Sequence, residues 1–99
     1  VLTALQVPPN QTGLFVHAFD QRLEPLGNGF LCTWGSAVFV GPPMSANSAG
    51  VLTRAIDLTG PAGYMIAPGV TRNFQLWYRD PNGGPSGFNL SDGLEVCFY

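Results

Sequence analysis

The chain contains no lysine and one histidine, and only 10% of its 99 residues are charged. A typical soluble domain carries about 25%, so charge is not what keeps this surface in water. Arg22, Arg54, Arg72 and Arg79 are scattered, the net charge is −2 and the pI is near 4.9. Such a chain offers no basic stripe, and nucleic acid is not an expected partner. No apolar run approaches the roughly 20 residues that a membrane-spanning helix needs, so no membrane span is expected. Cysteine is also scarce. Cys32 and Cys97 stand far apart and match no zinc spacing. Joined, they would close a loop of about 65 residues and contribute roughly 4 kcal/mol in the chain-entropy model. Two buried free thiols are the other reading.

The means of catalysis are equally sparse. Without lysine there is no Schiff base, and nothing near Ser36, Ser45 or Ser48 supplies a base and an orienting group. His17 lies in an apolar stretch, where a satisfied structural imidazole is the plain expectation. The chain is therefore expected not to be an enzyme and to need no cofactor. It starts at Val1 without a methionine, which reads as a processed form or an excised piece.

What is present is β-type patterning. Thirteen glycines, nine prolines and many neutral polar residues supply turns, and turn signals recur every 8 to 15 residues or so, the spacing of a sandwich or barrel. Runs with strand character cover Val1 to Val7, Gly13 to Phe19, Asn28 to Gly35, Ala37 to Val40, Val51 to Leu58, Asn73 to Asp80 and Gly93 to Tyr99, with a short edge-like piece at Tyr64 to Gly69. No stretch reads as a helix. The expected fold is all-β, an antiparallel sandwich, Ig-like or jelly-roll-like, of seven to eight strands. Residues 10–99 form its single domain and residues 1–9 an N-terminal strand or extension.

The strings GNGFLC, GVLTRAIDL and FQLWYRDPNGGPSGFNLSDGLEVCF resemble a domain found near the C-termini of secreted, often multidomain, environmental bacterial proteins. The likeness spans about residues 13–99. It implies a secreted β-sandwich with Cys32 bonded to Cys97, in an extracellular or cell-surface location, and it implies no activity. The chain departs from that group in being one domain long and in following Cys97 with Phe-Tyr, where the group usually ends Cys-Pro.

Four sets of residues are candidates for function. Val1, Thr3, Leu5 and Val7 share one face of the first strand, and Pro8 and Pro9 join that strand to the body. The strand can pair in cis or complete the sheet of a neighbouring copy, a head-to-tail contact that builds filaments when it does not close. In the strand from Asn73, alternation allows two phases: with Phe74, Leu76 and Tyr78 toward the core, Asn73, Gln75, Trp77 and Arg79 face outward, whereas the opposite phase buries Trp77 as a core plug. In the first phase Gln75, Trp77 and Arg79 are, with Trp34, a candidate interface or polysaccharide platform. Asp80, Asn82 and Asp92, with Asn89 and Ser91, form a weak calcium candidate; turn chemistry is the simpler account of Asp-Pro-Asn-Gly. The fourth set is the cysteine pair. The expected function is a secreted, non-catalytic structural module that assembles with copies of itself or with sister domains, including as a filament subunit. A carbohydrate-binding or adhesion module is the alternative.

Overall fold

The computed structural model describes residues 1–56, 60 and 66–98. Its longest strand runs over Thr71–Arg79 and is buried from Arg72 through Leu76 without a break. A strand buried at successive positions must be covered on both faces, and the topology supplies both covers. Among the described residues there are nine strands: β1 (Leu2–Ala4), β2 (Thr12–Ala18), β3 (Asp20–Leu26), β4 (Gly29–Trp34), β5 (Val38–Ser45), β6 (Leu52–Arg54), β7 (Thr71–Arg79), β8 (Phe88–Leu90) and β9 (Leu94–Cys97). All their pairings are antiparallel. The fold is an all-β sandwich. Its central sheet has the order β5-β2-β7, and β8 and β9 share the outer edge of β7, β8 opposite Trp77–Arg79 and β9 opposite Thr71–Phe74.

Register divides this sheet into two faces. Phe15 lies opposite Leu76 and Val40, and His17 opposite Phe74, so these side chains share the first face. The β1–β6 ribbon covers it and completes the apolar core of Leu2, Phe15, Val40, Leu52, Phe74 and Leu76. Each such side chain contributes about 1.5–3 kcal/mol when removed from water. The ribbon comes this close because position 13 is glycine. A Cβ there would meet Leu52 Cδ1 and Leu76 Cδ1, each at 3.0 Å.

The second face carries Leu14, Val16, Asn73, Gln75 and Trp77, with Phe39 opposite Val16. The β3–β4 hairpin covers part of it and is held by amides more than by apolar contact. Gln75 accepts from the Cys32 N–H at 2.9 Å and the Thr33 hydroxyl at 3.4 Å, and donates to the Phe30 and Ser91 carbonyls at 2.8 and 2.6 Å. Gln21 donates to Asn73 Oδ1 and Glu95 Oε2, while Asn73 donates to the Phe19 carbonyl. The hairpin turns at Gly27, whose φ of 58° suits the first position of a II′ turn.

Several strand expectations change. The segment from Asp20 to Leu26 reads as a loop, yet it is strand β3. Six of its seven residues are polar, exposed or both, so it has no buried face for alternation to reveal, and pairing with β4 holds it. The strand expected to stop at Val40 continues as β5 through Gly41, Pro42 and Pro43 by way of an irregularity in register, which an edge strand tolerates. Phe88–Leu90 pairs with β7 from within the glycine-rich loop. Of the expected Val51 to Leu58 strand, residues 52–54 form β6; Asp57, Leu58, Tyr64, Met65 and Tyr99 lie outside the described residues.

The first strand changes most. β1 pairs in cis with β6, Leu2 opposite Arg54 and Ala4 opposite Leu52. Val1, Thr3, Leu5 and Val7 do not share one face: Val1, Thr3 and Leu5 are exposed, and Val7 is buried with its N–H donated to the Gly50 carbonyl at 3.0 Å. The cause is Gln6, whose φ of 61° interrupts the extended period and turns Val7 inward.

Candidate functional site

Two grooves collect the residues singled out by sequence. The first lies on the second face, where the hairpin leaves the Trp77 end of β7 partly uncovered. It is a hollow of about 380 Å³ whose walls are Val16, Leu31, Thr33, Trp34, Phe39 and Trp77. Phe39 meets the Trp77 ring edge-on at 6.2 Å between centroids. Trp34, 48% exposed at the end of β4, carries the Arg22 guanidinium over its ring at 4.3 Å, and Arg22 pairs with Glu24 at 3.1 Å. Trp77 is half-buried, and its indole N–H is enclosed without an acceptor. A second hollow adjoins Trp77 on the side of Arg79 and Phe88. The two tryptophans, 43 positions apart in sequence, thus belong to one aromatic groove.

Gln75 is not part of that surface. It occupies the face expected of it, beside Trp77, but is only 2% exposed because the hairpin closes over it. Both its amide oxygen and its amide nitrogen are committed to protein groups, so it is a clamp and not a ligand contact. Arg79 remains exposed at the end of β7.

The second groove, about 360 Å³, runs between β1 and the segment Ser91–Leu94. Val1, Thr3 and Leu5 line one side, and the core side chains Phe15, Phe74 and Leu76 reach it from below. Leu94 also borders the adjoining hollow with Leu23. Exposed aliphatic side chains therefore border both hollows, Val1, Leu5 and Leu94 the first and Leu94 and Leu23 the second, with Asp92, Arg22 and Glu95 among them.

The cysteine expectation is corrected: Cys32 and Cys97 are unbonded, Cys32 partly covered and Cys97 exposed. Strand register separates them. Cys32 packs at Gly93, where an added Cβ would lie 3.2 Å from its own Cβ, whereas Cys97 pairs with Thr71 at the far end of β9. Four residues of strand span about 13 Å, and a disulfide requires Cα atoms within about 7 Å. Distance also separates the calcium candidates. Asp80 sits in the turn after β7, its N–H donated to the Gly87 carbonyl at 3.0 Å and its carboxylate accepting from Asn89 Nδ2 at 3.3 Å. Gly83 donates to the Asp80 carbonyl in the same turn, at whose exposed tip Asn82 sits. Asp92 lies by the β1 groove, next to Ser91, which exchanges hydrogen bonds with Leu76. No three His, Cys, Asp or Glu side chains cluster as metal ligands among the described residues.

Sequence reading missed a buried polar pair. Arg72 and His17 are both fully buried on the first face, and Arg72 Nε donates to His17 Nδ1 at 2.9 Å. Arg72 Nη2 donates to the Ser36 carbonyl at 2.9 Å, and Nη1 is enclosed without an acceptor. Burial lowers the Arg72 pKa. Toward the other end of β7, burial and then the Asp80 charge raise the Tyr78 pKa. No single-residue signal marks Arg72 as buried; its strand partner is Val96 on β9, and the groups that enclose its guanidinium, His17 on β2 and the Ser36 carbonyl, come from distant parts of the chain.

Comparison with family models, with curated proteins and with solved structures found no match for this chain. No helix among the described residues is long and apolar enough to cross a membrane.

Proposed function

We propose that the chain is a non-catalytic structural module of an extracellular or cell-surface assembly, and that it associates with copies of itself or with sister domains. The observation that carries this reading is the set of exposed aliphatic side chains Val1, Leu5, Leu94 and Leu23 around two adjoining hollows, in a chain with only 10% charged residues. Single exposed hydrophobic residues are ordinary, but a contiguous set marks a surface that is covered in use. The absent lysines remove the common guard against edge-to-edge association. The resemblance of residues 13–99 to secreted bacterial modules supports the extracellular setting, although the unbonded cysteines subtract one element of it. Sedimentation velocity over a hundredfold concentration range, with negative-stain microscopy of the same samples, tests the reading. Mass that rises with concentration, or fibres, is expected; a monomer at every concentration refutes it.

A second reading is favoured by the aromatic groove. Trp34, Phe39 and Trp77 offer aromatic surface of the kind that stacks against sugar rings, and Arg22 buttresses the Trp34 ring. A polysaccharide is the ligand class it fits. Retention on immobilised polysaccharide that Trp34→Ala abolishes, with the fold intact by near-UV circular dichroism, supports this reading. Equal elution of the variant and the original chain removes it.

A further inference from the structure

We propose that two copies of the chain join by pairing β1 with β1 of the partner copy, antiparallel and in register about Thr3. This rests on the self-association reading and names its contact. Among the described residues β1 pairs only with β6, so no described strand occupies its other edge. The groove beside it is lined by β1 and Ser91–Leu94 but by no residue of β6, which places the open space along that free edge.

Within β1 itself nothing guards the edge. Residues 1–19 contain no lysine, arginine, aspartate or glutamate, and no proline precedes Pro8. The β1–β6 register shows no bulge. Charges, prolines and bulges are the devices that keep sheet edges from pairing with one another.

The sequence of the edge is self-complementary. Val1 and Leu5 are 88% and 69% exposed and flank the exposed Thr3, while Leu2 and Ala4 point inward. With Thr3 opposite the partner's Thr3, Val1 falls opposite the partner's Leu5 and Leu2 opposite the partner's Ala4. The outward pairs cover the most exposed aliphatic side chains at this edge, and the inward pairs extend the core layer over the groove floor. The Thr3 hydroxyl already meets that of Thr53 at 3.5 Å, so the row of threonines continues across the joint. Five residues pair over about 17 Å, and the two ribbons become one four-stranded sheet. Such a contact uses the same surface on both copies and closes at two. The pairing thereby replaces the open head-to-tail filament with a closed dimer.

The experiment uses the full chain in four samples: the original, Thr3→Lys, Thr3→Glu, and an equimolar mixture of the two variants. Like charges directly opposite across a strand pair are destabilising and opposite charges are favourable. Sedimentation equilibrium is expected to show a dimer for the original chain, at least tenfold weaker association for either variant alone, and recovery in the mixture. Hydrogen exchange gives a second readout on the original chain, with amides of residues 1–5 expected to gain protection as concentration rises. If both variants associate as tightly as the original, β1 is not the contact, and self-association survives through another surface. Variants that stay monomeric when mixed overturn the in-register pairing, as does exchange at residues 1–5 that ignores concentration. A monomeric original chain overturns both this proposal and the self-association reading.

Discussion

Replacing Gln75 with leucine is expected to loosen the β3–β4 hairpin from the central sheet. The substitution nearly preserves volume but removes the partner of the Cys32 N–H and of the Phe30 and Ser91 carbonyls, which lie 2.9, 2.8 and 2.6 Å from the amide. A buried polar group left unpaired costs about 1–3 kcal/mol. These three groups are part-buried, so the lower half of that range applies to each, and the added apolar burial offsets some of it. The net loss is about 2–4 kcal/mol, against roughly 5–15 kcal/mol for a whole domain of this size. Urea unfolding reads it as a midpoint lower by on the order of 1–3 M with an unchanged slope. Native-state hydrogen exchange should place the early loss of protection in residues 20–34. A Gln75→Leu chain within about 0.5 kcal/mol of the original would refute the amide clamp. So would exchange that accelerates everywhere except in the hairpin.

Three further outcomes follow from the geometry. Gly13→Val forces new carbon against Leu52, Leu76 and the Trp77 carbonyl, which sit 3.0, 3.0 and 3.2 Å from an added Cβ; thermal unfolding should show a loss of about 1–3 kcal/mol, and an unchanged melting temperature would mean the ribbon does not pack there. Tyr78 has its pKa raised in the folded chain by burial and by Asp80, so the unfolded chain loses that proton first and stability falls as the pH climbs past about 10; Tyr78→Phe should flatten this alkaline decline, and an identical decline in both chains argues against the buried phenol. Both cysteines should titrate as thiols in the native protein, exposed Cys97 ahead of partly covered Cys32, whereas a thiol count of zero by Ellman titration would contradict the β9 register.

Sequence alone determined that this is a β protein. Period-two alternation, turn residues at short intervals and the lack of any helical period are local properties, and they need no knowledge of neighbours. The set Phe74, Leu76 and Tyr78 was legible as one of two phases for that reason, and all three join or pack against the core; the structure decided the phase. The strand Asp20–Leu26 was not, because an exposed polar strand is defined by its partner and not by its own pattern. The burial of Gln75 depends likewise on a hairpin that folds back over it, and that of Arg72 on His17 and the Ser36 carbonyl, which meet its guanidinium from distant parts of the chain. Tertiary structure alone decided that Trp34 and Trp77 share a groove, that Cys32 and Cys97 lie at opposite ends of β9, and that β1 pairs with β6 and leaves one edge open. Each of these is a matter of register between segments far apart in sequence, and a shift of one residue reverses the face of every side chain involved.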